Sequence, residues 1–139
     1  MLDHIGVALS QAAQNWKADF ELRMIARGHA VFSEAASNAL AHIGPEGLSQ
    51  SALGRAMGVS KQASQQFADR LVDLGLVARV PDPHDGRSNR LVLTLQGQQI
   101  TTEANEVKSA IEASYRASMG NSAFAFLKAT LNHLPKAKS

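Results

Sequence analysis

Cysteine is absent from this 139-residue chain, which excludes a disulfide framework, a thiolate metal site and cysteine-based redox sensing together. Aromatic residues are scarce, with a single Trp, Trp16, and a single Tyr, Tyr115. No apolar run approaches the roughly 18 residues a membrane span needs, and the chain does not open on a signal-peptide pattern. The expected location is therefore the cytoplasm, with no membrane partner. Catalytic signatures are missing as well: there is no phosphate-binding glycine loop, no nucleophile elbow and no carboxylate pair that stands out. Neither enzymatic activity nor a cofactor is expected. The histidines are His4, His29, His42, His84 and His133. None forms an i, i+4 pair or stands beside the acids of a metalloprotease motif, so no metal site is expected. His29 is read as opening a helix and His42 as closing one, against the helix dipole.

What remains is an ordinary globular composition. The apolar share is 45%, enough for a core, and the length suits one domain. A net charge of +2 is too small to point to nucleic acid by itself. Its distribution is more telling. Residues 1–54 carry three Lys/Arg against five Asp/Glu, residues 55–90 six against four, and residues 91–139 five against three. Basic charge begins near Arg55 and persists to the end of the chain.

The richest segment runs from Arg79 to Thr94. Two short strands, Val77 to Val80 and Arg90 to Thr94, flank a loop too polar to pack and too rich in Pro and Gly for helix. Pro81 and Pro83 are expected to stop the first strand, since proline lacks the N–H of a sheet ladder. Asp85-Gly86 is expected to make the turn, glycine tolerating positive φ. Arg87 then stands at the tip and Arg90 at the base, with Asp82 and Asp85 near enough to orient a guanidinium. An arginine on a protruding β-loop suits a narrow DNA minor groove, where negative potential concentrates. A plain solvated hairpin would look the same, so the preceding segment decides.

Leu48 to Gly75 carries the pattern of two helices joined by a tight turn. Ser49 caps the first, with Leu53, Ala56 and Met57 as its apolar positions and Gly58 ending it. Val59 is expected to pack inward, and Ser60 caps the second helix. In that second helix Ala63, Phe67, Leu71 and Leu74 recur at helical spacing and should face the core. Its other side carries Lys61, Gln62, Gln65, Gln66, Asp69 and Arg70. Glutamine can pair with adenine through two hydrogen bonds, and lysine can reach phosphate or guanine. A capped helix N-terminus can also hold a phosphate. Helix, turn, helix and hairpin in this order make a winged helix-turn-helix.

From Leu53 to Gly97 the chain resembles the DNA-binding part of the MarR family of winged-helix transcription regulators. The residues that carry the resemblance are Leu53-Gly-Arg-Ala-Met-Gly-Val-Ser-Lys-Gln-Ala63 and Asp69-Arg-Leu-Val-Asp-Leu-Gly-Leu-Val77. Asp82-Pro-His-Asp-Gly-Arg-Ser88 and Leu93-Thr-Leu-Gln-Gly97 complete it. About a third of the chain is covered. The resemblance places the family's wing-tip arginine on Arg87, its partner aspartate on Asp85, and its base-reading face on Lys61, Gln62, Gln65 and Gln66. It implies an obligate dimer with an effector site between the dimerising and DNA-binding parts. Ser64 departs from the pattern, the family usually having an apolar residue there, which bears on how the recognition helix packs and tilts.

Outside this region the chain is helical. Ile5, Leu9, Ala12, Trp16, Phe20 and Met24 mark a long helix that frays toward Gly28. A second, roughly Ala30 to His42, brings Val31, Phe32, Ala36, Leu40 and Ile43, and Gly44-Pro45-Glu46-Gly47 ends it. After the hairpin, Thr94 can cap a helix bearing Ile100, Ala104, Val107, Ile111 and Ser114. Gly120-Asn121 separates it from a last helix with Phe124, Leu127, Leu131 and Leu134, and Pro135 to Ser139 forms a tail. The two ends hold more apolar helix than a small winged helix can cover. Pairing them across a two-fold axis would bury the excess, as the resemblance also implies.

The expected architecture is mostly α with a small β-hairpin wing. A winged helix-turn-helix over residues 30–97 is flanked by dimerisation helices over 1–28 and 98–134. Candidate DNA-contacting residues are Ser49, Ser60, Lys61, Gln62, Gln65, Gln66, Arg70, His84, Asp85, Arg87 and Arg90. Candidate dimerisation residues are Ile5, Leu9, Ile111, Phe124, Leu127, Leu131 and Leu134. Trp16, Phe20, Phe32 and Tyr115 are either core anchors, as large aromatic area favours, or walls of a pocket for a small aromatic effector. The expected function is a homodimeric repressor that reads a pseudo-palindromic duplex and is released by such an effector. The rival is a winged-helix protein-interaction module that does not bind DNA, and a small-molecule carrier or enzyme comes third.

Overall fold

The computed structural model describes residues 4–30 and 32–137. Val31, expected on the apolar face of the second helix, and the tip of the tail at Ser139 lie outside the described residues, as do the side chains of Asp85 and Ser88. Six helices and a small antiparallel sheet follow in the order α1 (Ile5–Ala26), α2 (Glu34–Ile43), β1 (Leu48–Ser49), α3 (Gln50–Met57), α4 (Lys61–Asp73), β2 (Val77–Asp82), β3 (Asp85–Leu93), α5 (Leu95–Met119) and α6 (Asn121–Asn132).

The helix boundaries follow local chemistry. α1 stops where Gly28 adopts φ +93°, and the His29 amide reaches back to the carbonyl of Met24 at 3.0 Å, a Schellman closure. α2 starts four residues later than the apolar spacing suggests, because Ser33 takes the cap and accepts from the Ala36 amide at 3.0 Å. His29 therefore opens no helix. It sits in the α1–α2 connection, with Nε2 2.7 Å from Glu103 on α5, beside the ion pair of Arg27 with Glu106. His42 does lie in the last turn of α2. α4 ends in a second Schellman turn through Gly75 at φ +76°, the Leu76 amide bonding to the carbonyl of Leu71.

The sheet is larger than the sequence pattern shows. β3 is the centre strand, flanked by β1 and β2. β1 escaped the sequence reading because two residues carry no periodicity; Leu48 pairs with Leu91 and Ser49 with Arg90. β2 is not stopped by Pro81. It continues to Asp82, with Pro81 opposite Asn89, since an edge strand tolerates a missing N–H. The turn consequently sits at Pro83-His84 rather than Asp85-Gly86. The Asp82 carboxylate accepts from the His84 amide at 2.9 Å, an Asx turn. Gly86 does not use positive φ.

The core joins α1 through α5 and the sheet. Phe20 and Met24 of α1, Leu40 and Ile43 of α2, Leu53 of α3, Leu71 of α4, Leu91 of β3, and Val107 and Ile111 of α5 are buried. The α5 stripe holds from Ile100 to Ile111 but not to Ser114, which is exposed and bonds to the Ile111 carbonyl instead. Ile111 belongs to the chain's own core, and Phe124 is buried against Tyr115 and beneath Arg116. Both leave the set available to a partner. Ile5, Leu9, Leu127, Leu131 and Leu134 remain exposed, Ile5 by 74%.

α5 is keyed to the end of α4 at one tight point. The Thr94 hydroxyl donates to the Gly75 carbonyl at 2.6 Å and accepts from the Gly97 amide at 3.0 Å. A Cβ on Gly97 would stand 2.0 Å from the backbone oxygen of Leu76. Gly97→Ala should therefore force α5 off this connection and destabilise the fold by ~1–3 kcal/mol in denaturant unfolding.

Candidate nucleic-acid interface

α3 and α4 are built by two caps and one glycine. Ser49 accepts from the Ala52 amide at 3.2 Å and Ser60 from the Ala63 amide at 3.1 Å. Gly58 takes the left-handed conformation between them, at φ 67° and ψ 32°. Val59 does not pack inward as expected. Its amide bonds to the Gly54 carbonyl at 3.1 Å, and its side chain is 40% exposed. Ala56 is also exposed, and Gly54, which the apolar pattern passes over, is buried in its stead.

Gly54 explains Ser64. The two helices cross so closely that a Cβ on Gly54 would lie 3.1 Å from the Ser64 Cβ and 3.2 Å from its Oγ. Ser64 is buried, and its hydroxyl donates to the Gln50 carbonyl at 3.3 Å, so the polar group is satisfied. The inward stripe of α4 is thus Ser64, Ala68 and Leu71, with Ala63, Phe67 and Leu74 half-buried beside it. The sequence pattern missed this by one position because Ser64 disguises an inward site.

With that stripe inward, Lys61, Gln62, Gln65, Gln66 and Arg70 are all exposed. Ser49 and Ser60 stand at the entrances to α3 and α4, each holding its own helix amide. On the wing, β2 and β3 pair in register as far as Pro81–Asn89, and then Asp82 faces Asp85. Gly86, Arg87 and Ser88 bulge out of the ladder between these pairs, so the exposed Arg87 stands in the bulge beside the Pro83-His84 turn rather than at the tip. His84 is exposed in the adjoining turn. Arg90 plays a different part at the wing's base. Its Nη2 donates to the carbonyls of Glu46 at 3.0 Å and Gly47 at 3.2 Å, tying β3 to the loop after α2.

A cleft of about 430 Å³ opens between α3, the start of α4 and β3. Gln50, Ser51, Gly54, Arg55, Val59, Lys61, Ser64, Arg87 and Asn89 line it. Arg55, Lys61 and Arg87 bring three cations to one concave face, two of them foreseen. Arg55, Gln50, Ser51 and Asn89 were missed. Arg55 was legible in principle, as the lone cation on the polar side of α3. Among the described residues no cluster of His, Asp and Glu could hold a metal, and no helix is long and apolar enough to cross a membrane.

The aromatic candidates lie elsewhere. Phe20 and Phe32 are buried in the core, and Trp16 stacks on Phe20 at a centroid distance of 5.7 Å. Tyr115 packs edge-on to Phe124 at 6.4 Å. The Lys108 ammonium lies 5.8 Å from the Phe20 ring centre. Burial pushes its pKa below the ordinary lysine value, while the Glu34 carboxylate pulls the other way.

A sequence model of the MarR family matches residues 32–88, which holds α2 through α4, β2 and the tip of the wing. Over those residues the chain is similar to the MarR family. Solved structures of the same fold extend over nearly all of the chain. A probable transcriptional regulator from Pseudomonas aeruginosa is 25% identical at a TM-score of 0.82, covering 96% of this chain and 98% of that one. A mutant MarR from E. coli complexed with operator DNA is 22% identical at 0.81, covering 94% of each. FabT from Streptococcus pneumoniae in complex with DNA is 18% identical at 0.79, covering 92% of this chain and 90% of that one. No protein of curated function matches the sequence. In this chain the residue at the helix crossing is a serine because Gly54 opposes it. Ser64→Leu should drive α3 and α4 apart and destabilise the fold by ~1–3 kcal/mol. Ser64→Ala should lose only about 1 kcal/mol; paired urea unfolding curves give both values.

Proposed function

We propose that this chain is a sequence-specific, double-stranded-DNA-binding transcription regulator, a cytoplasmic homodimer without catalytic activity. One observation carries the reading. α3, the start of α4 and the wing arginine frame a single concave surface, on which Arg55, Lys61 and Arg87 converge, and the glutamines of α4 are exposed. Such a surface suits a helix in the major groove and an arginine in the neighbouring minor groove. That two structures of the same shape hold DNA supports the same reading.

The dimer is supported by apolar surface that the chain leaves uncovered at both ends. Ile5 and Leu9 of α1, with Phe126, Leu127 and Leu131 of α6, are exposed, Phe126 by 75%. Each such side chain is worth roughly 1.5–3 kcal/mol if buried, ample reason for two copies to interdigitate. Two recognition helices would then meet a pseudo-palindrome with half-sites about 10 base pairs apart. Repression relieved by a small aromatic effector is part of the proposal. The Trp16–Phe20 stack with Lys108 beside it brings an aromatic surface and a cation together where α1 packs on α5. The rival reading, a winged helix serving a protein partner, loses its first support because Ser64 is a fitted residue. Its remaining support is the small net charge of +2.

Fluorescence anisotropy on DNA from upstream of the chain's own gene, beside a scrambled duplex and across a salt series, tests the reading. Tight, selective and salt-dependent binding is expected. Equal, weak binding to both duplexes would favour the protein-partner reading. Arg87→Ala should weaken binding by about 1.5–3 kcal/mol and lower the salt slope by about 1. Gln66→Ala should relax preference at particular base pairs by roughly 1–3 kcal/mol, measured across single-base variants. Leu127→Asp should yield monomers in analytical ultracentrifugation and abolish selective binding.

A further inference from the structure

Arg79 lies within β2, yet its guanidinium is engaged by the helix-turn-helix. Its Nη2 is paired with the Asp69 carboxylate on α4, and its Nε donates to the Gln50 side-chain oxygen, the first residue of α3, at 3.2 Å. One planar group therefore joins wing, recognition helix and supporting helix. Gln50 is also held from the other side, since its backbone carbonyl accepts from the buried Ser64 hydroxyl. The chain otherwise passes from α4 to β2 only through the short turn at Gly75-Leu76.

Asp69 makes the arrangement more than an ordinary surface ion pair. It follows Gln62 and Gln65 at helical spacing, and all three are exposed. A carboxylate on that side would repel phosphate unless a cation met it, and Arg79 supplies the cation. A guanidinium forks in fixed directions, so contacts through two of its nitrogens set an angle as well as neutralising a charge. Lysine would keep the charge and lose the angle.

We infer that Arg79 is a positioning residue for sequence reading. It fixes the recognition helix relative to the wing, and so sets base discrimination without itself touching DNA. The inference rests on the DNA-binding reading proposed above, and its test separates the two. Arg79→Lys and Gln50→Ala are compared with wild type on a preferred and a scrambled duplex, with thermal melting alongside. In Arg79→Lys the preference ratio should fall roughly tenfold, the scale of one misplaced base contact. Affinity for the scrambled duplex and the salt slope should stay unchanged. Gln50→Ala, which removes one arm at constant charge, should move the ratio the same way, and it carries the test if the lysine variant melts early. Equal loss on both duplexes with a salt slope lower by about 1 would make Arg79 a phosphate contact and overturn the inference. An unchanged ratio would overturn it too. Hydrogen exchange of the free protein supplies an arm without DNA: amides of β2 and the last turns of α4 should exchange faster in Arg79→Lys. Unchanged exchange there counts against the coupling. A wild type that does not distinguish the duplexes would defeat the DNA reading, leaving the exchange result to judge the coupling.

Discussion

The close crossing of α3 and α4 at Gly54 and Ser64 is the constraint on which the rest of this structure depends. A larger pair would have to push the two helices apart, because the would-be Cβ of Gly54 already stands 3.1 Å from that of Ser64. That contact fixes the rotation of α4 about its own axis. Lys61, Gln62, Gln65 and Gln66 point outward only because Ser64, Ala68 and Leu71 point in. It also anchors Gln50, whose carbonyl takes the Ser64 hydroxyl and whose side chain takes Arg79. Packing between two small residues is thus carried, through one backbone carbonyl and one guanidinium, to the position of the wing.

Much of this was legible in the sequence, and the failures have physical reasons. The caps at Ser49, Ser60 and Thr94 were readable, because a hydroxyl before a helical stripe has one strong local use. The polar face of α4 and the exposure of the wing arginine followed from residue polarity, whereas the turn expected at Asp85-Gly86 lies at Pro83-His84. Ser64 and Gly54 were not readable as inward, since a polar residue and a glycine carry no apolar signal. β1 and the continuation of β2 through Pro81 depend on pairing with β3, a non-local event that short-range propensity does not encode. Arg90 looked like a DNA contact from its place in the sequence, but it faces the carbonyls of a loop some forty residues earlier. The helix-turn-helix was found by pattern, whereas the bonds that orient it connect residues far apart in the chain.

The flanking helices divide by burial into two kinds of surface. The C-terminal half of α1 and the first part of α5 close over the winged helix, with Phe20, Met24, Ile100, Ala104, Val107 and Ile111 inside. The N-terminal half of α1 and most of α6 keep apolar residues exposed. Periodicity marks both halves equally, so by spacing alone the buried Ile111 and Phe124 look like dimerisation residues. Only packing distinguishes a stripe that serves this chain from one left for a second copy. Lys108 and the Trp16–Phe20 stack lie where α1 packs on α5.

The central claim is that this surface reads DNA as a symmetric pair, and selection of bound duplexes from a random-sequence pool tests it most directly. Enrichment of pseudo-palindromes with half-sites about 10 base pairs apart and A·T-rich flanks is the predicted result. Recovery of an asymmetric single motif, or no enrichment over the starting pool, would contradict the account.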